Sequence, residues 1–446
     1  MAPHSISDKS LMRLTWPILF ELLMLYLIPA VDTYYLSRLS TEAVAGVSAI
    51  LPLTGLGMIL FMPLTQAGMS VAAQHLGARA GHNASAAFTL LLAMNFFVGL
   101  FISLLFLMLA ESLPAWMGLE PRFADMAATY VGTIGAGYVF LALKVGVSGV
   151  LNALGRTSIN MWTALLMNLV NLSLNHVFVT GALGFPQLGV RGIALASATA
   201  WAAAFLFGLA FCFKELAPLS ALRAQGRDMR TILSQILRIG LPSTLEPLSY
   251  QVSQVVITKM LVQLGPLALT TKAYVGNITH FALLWSAAFA SGTQIKTAHL
   301  IGAQAYQDAS EQVASGVRLV LLGCTVISVG LALNAQALLG LFTPDPAGLA
   351  LGATILWLAV LLEWGRALNV LVGSVLRASG DAHFVALFGL LSMWLVSVGG
   401  AYLGSLVWGW GLVGIWVAMI ADEHLRGWVS LARWRSGNWR RKAIYR

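Results

Sequence analysis

Hydrophobic positions along the chain gather into long runs separated by short polar stretches. The runs cover residues 11–37, 46–76, 86–110, 125–153, 159–181, 190–213, 232–264, 267–300, 309–334, 346–378, 382–407 and 411–433. A helix needs about 20 mostly apolar residues to cross a bilayer. All twelve runs reach that length, so the pattern predicts an all-α membrane protein with twelve transmembrane helices. The longer runs fit by tilting or by extending as amphipathic helix outside the lipid. The connections are short, and no soluble domain of ordinary size fits between them.

Basic residues set the predicted orientation. Lys9, Arg13, Arg79, Arg156, Lys214, Arg223, Arg227, Arg230 and Arg377 share one set of connections, and Arg433, Arg435, Arg440, Arg441, Lys442 and Arg446 follow in the tail. The alternate connections hold Arg38, Arg122 and Arg191 as their clear basic residues. The positive-inside rule then puts both termini in the cytoplasm. An even number of spans agrees. The first run is long enough to span and lacks a small-residue cleavage site, so it is expected to be retained.

The chain also repeats itself. Arg13, Pro17 and Glu21 align with Arg238, Pro242 and Glu246 at an offset of 225. Gly77-Ala78 and Ala80 match Gly302-Ala303 and Ala305, and Val150-Leu151, Ala153 and Gly155 match Val375-Leu376, Ala378 and Gly380, at the same offset. Gly189 and Gly192 align with Gly411 and Gly414 at 222. This predicts two six-helix lobes, 1–220 and 221–446, related as parallel repeats about an axis along the membrane normal. Two halves around a midplane site are the geometry of alternating access, which predicts a transporter.

Composition narrows the class further. Of 446 residues 58% are hydrophobic and 10% charged, with a mean hydropathy of +0.81, where soluble domains carry about 25% charged residues. The net charge of +9 is explained by basic cytoplasmic connections and not by nucleic-acid binding. Cys212 and Cys324 lie in apolar runs and imply no disulfide framework. A phosphate loop, zinc-type His/Cys spacing and a Gly-x-Ser-x-Gly elbow are all missing from the sequence. No cofactor, metal or enzymatic activity is therefore expected, and an ion gradient is the expected energy source. A membrane receptor or enzyme is the alternative from another class, without a catalytic cluster or extramembrane domain to support it.

Ionisable residues inside the apolar runs are functional candidates, because a charge at the bilayer centre costs at least about 2.5–3.5 kcal/mol unless paired or hydrated. Asp32 stands between Val31 and Thr33-Tyr34-Tyr35, on a run interrupted by Pro17 and Pro29. Burial disfavours its charged form and Pro lets the helix kink. The residue reads either as a proton-exchanging coupling acid or as a structural acid near a helix end. Asn168, Asn171 and Asn175 share a helical face and either serve a carboxyl or cation, or bond helix to helix. Ser197 and Thr199 are weaker members. Glu246 repeats Glu21 in a duplicated Pro-x-x-x-Glu that looks architectural. Glu363 and Arg366 can pair along one helix, facing a cavity or as a static bridge. Asp422 and Arg426 form a local i, i+4 pair. Lys144, Lys259 and His280 are isolated polar groups, and Tyr35, Glu246, Lys144, His280, Glu363 and Arg366 are the candidates for a substrate cavity.

Pro17 with Val31-Asp32-Thr33, Gly77-Ala78, Asn171 with Asn175, and Gly373-Ser374-Val375-Leu376-Arg377-Ala378-Ser379-Gly380-Asp381 together resemble the multidrug and toxic compound extrusion (MATE) transporters over nearly the whole chain, closest in pattern to the prokaryotic DNA-damage-inducible members. The resemblance implies a V-shaped bundle of two lobes in a bacterial inner membrane, acting as a monomer. It implies export of organic cations and other amphipathic molecules in exchange for protons or sodium. It also implies that Asp32 is the coupling acid, Pro17 the bending residue and Asn171 a partner, with Arg377 and Asp381 fixing a cytoplasmic turn. Where some members carry a second carboxylate, this chain has Asn175, which favours protons over sodium. The competing implication is a lipid-linked oligosaccharide flippase of the same superfamily, which would need a strongly basic cavity.

Overall fold

The structure, a computed structural model, describes residues 9–220 and 226–445. Arg223 and Arg446, and the side chains of Lys214 and Arg227, lie outside what is described. The described chain is almost wholly helical, with no strand among the described residues. Its long helices are α1 Leu11–Leu39, α2 Thr41–Gly77, α3 Gly81–Leu109, α4 Pro121–Ala153, α5 Thr157–Thr180, α6 Gly189–Ser220, α7 Gly226–Leu264, α8 Pro266–Gly302, α9 Tyr306–Leu333, α10 Pro346–Ala378, α11 Ala382–Val407 and α12 Gly411–Arg435. These coincide with the twelve predicted runs to within about seven residues at either end, the largest difference being at the end of α6. By length and composition, nine of the described helices can cross a membrane, namely α1–α6 and α9–α11. The other three, α7, α8 and α12, are as long but more polar.

The chain divides into two compact units. One is Trp16–Gly240, and the other is Leu241–Arg446 with the stretch before Trp16. Within the first, α4 is the hub, packed on α2, α3 and α6, and α5 packs on α6. Within the second, α10 packs on α8, α9 and α12, and α11 packs on α12. The neighbours are the same six helices apart, so the duplication in sequence is also a duplication in packing. Connections repeat too. Short helices Ser112–Trp116 and Ala335–Gly340 follow α3 and α9. The turn after α2 places Arg79 at φ 57°, and the turn after α8 places Gln304, its repeat mate, at φ 58°. The turns after α4 and α10 end in Gly155 at φ 65° and Gly380 at φ 95°. Glycine adopts this left-handed backbone without steric cost. At Gly380 it also admits a close approach, since a Cβ there would lie 2.4 Å from the Lys442 carbonyl oxygen.

The helix that matters most is α1. Its buried positions include Leu14, Pro17, Ile18, Glu21, Ile28, Asp32, Tyr35 and Leu36, which follow helical spacing down one face. Glu21 and Asp32 therefore point into the protein and not into lipid. Pro17 and Pro29 both lie inside the helix, which continues through them. Ile28 packs against Met167 of α5 and Ala200 and Ala204 of α6, holding the next turn of α1 against the same two helices. The wall of α6 is built from small residues, and this lets α4 come close: a Cβ on Gly137 would sit 2.5 Å from Cβ of Ala198.

Candidate functional site

Asp32 is buried, with 7% of its surface exposed, and it receives three hydrogen bonds. Asn171 Nδ2 donates to Oδ1 at 3.0 Å, Asn175 Nδ2 donates to the same oxygen at 2.7 Å, and Ser197 Oγ donates to Oδ2 at 2.7 Å. Asn171 also donates to Ser197 Oγ at 2.9 Å, and Asn175 donates to Asn171 Oδ1 at 3.2 Å. Asn171 and Asn175 are one turn apart on the buried face of α5, so the sequence spacing translates directly into two donors on one oxygen. Ser197, ranked as a weaker member from sequence, is a direct partner. Thr199 is exposed on the other side of α6, and Asn168 leaves the group as well, donating to the Met24 carbonyl at 2.9 Å. Tyr130 of α4 lies within electrostatic reach of Asp32, and no sequence signal singled it out. Asn175 Oδ1 is buried without a donor, so the site holds one more acceptor than the described donors fill.

Lower on α1, the isolated cation predicted at Lys144 is in fact paired. Lys144 Nζ meets Glu21 Oε1 at 2.8 Å, with side-chain exposures of 2% and 8%, and Ser148 Oγ donates to the same oxygen at 3.1 Å. Lys144 is thus spoken for inside the N-terminal unit, which corrects its place among cavity candidates. Sequence could not pair residues 123 positions apart. Removing one partner of a buried ion pair typically costs about 3–5 kcal/mol, because the other charge is left uncompensated. Lys144→Met should therefore lower the thermal unfolding midpoint of the purified protein sharply, and Glu21→Leu added to it should recover most of the loss. A double variant as unstable as the single one would contradict the pairing.

The C-terminal unit holds a larger network between α7, α10 and α12. The buried stripe of α12 runs Ile415, Trp416, Met419, Asp422, Glu423, Arg426, Gly427 and Ser430, so its core-facing surface turns from apolar to charged half way along. Arg426 reaches Asp422 at 2.9 Å, Glu423 at 3.2 Å and Glu246 of α7 at 3.2 Å. Arg366 pairs with Glu363 and lies 3.6 Å from Glu423. Arg377 bonds Glu246 at 2.9 Å, while Asp381 is held by Arg433 at 2.8 Å. Asn369 and Ser392 supply further donors, to Glu423 at 2.8 Å and to Asp422 at 2.5 Å. A Cβ at Gly365 would lie 2.8 Å from the His424 backbone nitrogen, so glycine lets α10 close on α12.

The expected Glu363–Arg366 and Asp422–Arg426 pairs are present, and both belong to this one network. Glu246 proves to be a shared acceptor for two arginines, and Arg377 reaches across to α7 while also donating to Ser374 one turn back on its own helix at 3.4 Å. The hub role of Arg426 and the parts of Glu423, Asn369 and Ser392 were not read from sequence. The available signal was a repeated Glu-x-x-Arg, Glu363 to Arg366 and Glu423 to Arg426. His280 of α8 is half-buried and within electrostatic range of Arg366, whereas Lys259 is exposed. Tyr35 packs into the apolar core of the N-terminal unit with Leu36, Ala43 and Val47. Pro17 does not join Asp32, since fifteen residues of helix, roughly 22 Å, separate them. It neighbours Glu21.

The chain has known relatives. A family model described as MatE matches residues 17–177 and 242–403, one stretch in each half of the repeat. The uncharacterised transporter YisQ of Bacillus subtilis (strain 168) is 33% identical over 440 residues, covering 98% of this chain and 97% of its own. A probable multidrug resistance protein NorM of Thermotoga maritima is 24% identical over 447 residues, covering 98% and 94%. The fold matches that of a multidrug resistance MATE transporter of the MOP superfamily in its outward-facing conformation, with a TM-score of 0.88, 19% identity and 98% of each chain covered. With both halves matched and a full-length relative at a third identity, the chain belongs to the MatE family of membrane transporters.

Proposed function

We propose that the protein is a multidrug efflux antiporter of a bacterial inner membrane, which exports organic cations and other amphipathic molecules in exchange for protons, with Asp32 as the coupling acid. The observation that carries this reading is the buried carboxyl of Asp32, met by Asn171, Asn175 and the rotatable hydroxyl of Ser197. Ionised, the carboxylate is satisfied by three donors. Protonated on Oδ2, it donates to Ser197 Oγ once that hydroxyl turns away, because a serine hydroxyl both donates and accepts. Both charge states can thus be held without dismantling the helix contacts.

Sodium fits this site less well. A hard cation wants a shell of oxygens, whereas both amides turn N–H groups towards Asp32. The flippase reading is also weakened. It requires free deep cations, whereas Lys144 is paired with Glu21 and Arg366 is engaged by the Glu363 and Glu423 side chains. The NorM relative, described as a probable multidrug resistance protein, supports a drug-like substrate class. The two compact units support alternating access, with both termini on the cytoplasmic side and the monomer as the working unit.

In proteoliposomes, an imposed pH gradient should drive movement of a fluorescent organic cation, and a sodium gradient at equal pH should not. Movement driven by sodium alone would overturn proton exchange. Asn175→Asp should change this behaviour. It places a second carboxylate against the first, where like charges cannot both ionise unless a cation is shared. The variant should therefore acquire a sodium response, and unchanged ion dependence would refute the role given to Asn175.

A further inference from the structure

The network in the C-terminal unit has an unequal charge count. Its carboxyls among the described residues are Glu246, Glu363, Asp422 and Glu423, and its guanidiniums are Arg366, Arg377 and Arg426, so among the described residues four acids face three cations. A buried charge is tolerated only where donors and counter-charges surround it. By that standard the four acids differ. Glu423 is met by Asn369, Arg426 and Arg366. Asp422 is met by Ser392 and Arg426, and Glu246 by Arg377 and Arg426. Glu363 has no exposed surface at all. One of its oxygens is bonded by Arg366, and the other, Oε2, is buried with no donor among the described residues.

We propose that Glu363 is a proton-binding site, separate from Asp32, which carries its proton on Oε2 while the other three carboxyls stay ionised and the buried network is neutral. The remaining titratable groups around it do not displace this assignment. Arg366 is on its own helix, and Glu423, Asp422 and Arg426 lie on α12. Tyr250 and Glu246 come from α7, His280 from α8, and Cys324 of α9 donates to the Glu363 carbonyl at 3.4 Å. None of the described members places a donor on Oε2. A metal ion does not fit in the proton's place. No cluster of three or more His, Cys, Asp or Glu among the described residues is arranged to hold one, and the Arg366 guanidinium stands beside the carboxyl. An unpaired neutral O–H is far cheaper to bury than an unpaired carboxylate oxygen.

The assignment is independent of whether Asp32 couples transport, because its readout is protonation and not flux. Infrared spectra of the purified full chain in lipid nanodiscs report protonated carboxyls through their carbonyl stretch, which shifts in heavy water. Glu363→Gln should remove a band equal to one carboxyl that Asp32→Asn leaves in place. Glu363→Asp, which keeps the carboxyl one methylene shorter, should shift that band without removing it, and it serves if the glutamine variant does not fold. The band should be the same in sodium chloride and choline chloride. The proposal is overturned if both Glu363 variants keep the wild-type protonated-carboxyl bands unchanged. It is overturned equally if sodium alone abolishes the band, since the site would then hold the metal.

Discussion

Asp32→Asn should abolish gradient-driven export of a fluorescent cation, bringing flux down to that of vesicles lacking the protein, while leaving the protein folded. The two halves of that expectation have one origin. Asparagine has the shape of the protonated acid, so its amide oxygen accepts from Asn171 and Asn175, and its amide nitrogen donates to a Ser197 hydroxyl that has turned round. Both amides of α5 keep their acceptor, and the unfolding midpoint should stay closer to that of the parent than a truncation to alanine allows. The side chain can no longer gain or lose a proton, however, so the step that ties substrate to the gradient is gone. Substrate affinity in the parent should weaken as pH falls and the acid loads. In the asparagine variant that dependence should vanish. Asp32→Ala is the contrast: it strands two amides and a hydroxyl in the interior, each costing about 1–3 kcal/mol, and should unfold at a clearly lower temperature. Dye efflux under a pH gradient, measured beside thermal unfolding of the same preparations, separates the two effects. A well-folded Asp32→Asn protein that still pumps at the parental rate would remove Asp32 from the mechanism.

How far the sequence reached is best judged from these same residues. The spans were legible because lipid demands long apolar runs, and the duplication because Pro17, Glu21 and Gly155 recur at one offset as Pro242, Glu246 and Gly380. Asp32 with Asn171 and Asn175 was legible because one face of one helix carries both amides. Ser197 was undervalued because serine in a membrane helix serves packing as readily as bonding. What sequence spacing resolves is contact along a helix, at i+3 and i+4. The Glu21–Lys144 pair and the Glu246–Arg426 pair, 123 and 180 residues apart, depend on helix packing that no local pattern encodes. The same limit applies to the polarity of α7, α8 and α12. Two of them, α7 and α12, carry the charges of the buried network, and that polarity is intelligible only once their neighbours are known. Departures from regular helix were illegible too: α11 widens to π-helical turns at Met393–Val398 and Leu403–Val407, directly after Ser392, which holds Asp422.

Arg426→Met should be among the most destabilising single changes in the C-terminal unit. One guanidinium serves Asp422, Glu423 and Glu246, and its side chain is only 6% exposed. Methionine fills a similar volume but leaves the acids with one cation fewer in a dry interior. Loss of one partner from a buried ionic group costs about 3–5 kcal/mol. Here the loss is shared unevenly. Glu423 keeps Asn369 and Arg366, Asp422 keeps Ser392 alone, and Glu246 keeps Arg377. Asp422 is therefore the acid most exposed to the change, and Asp422→Asn combined with Arg426→Met should recover part of the stability, whereas Glu423→Gln combined with it should recover less. Arg426→Lys should fall between methionine and the parent, because a point charge cannot span carboxylates from two helices as the planar fork does. Arg377 provides the internal control. Its side chain is 24% exposed, so solvent can replace it, and Arg377→Met should cost well under half as much. Thermal unfolding of the set in one detergent decides the matter: equal midpoints for the Arg426 and Arg377 variants would mean that α7 is not fastened to α12 through Arg426.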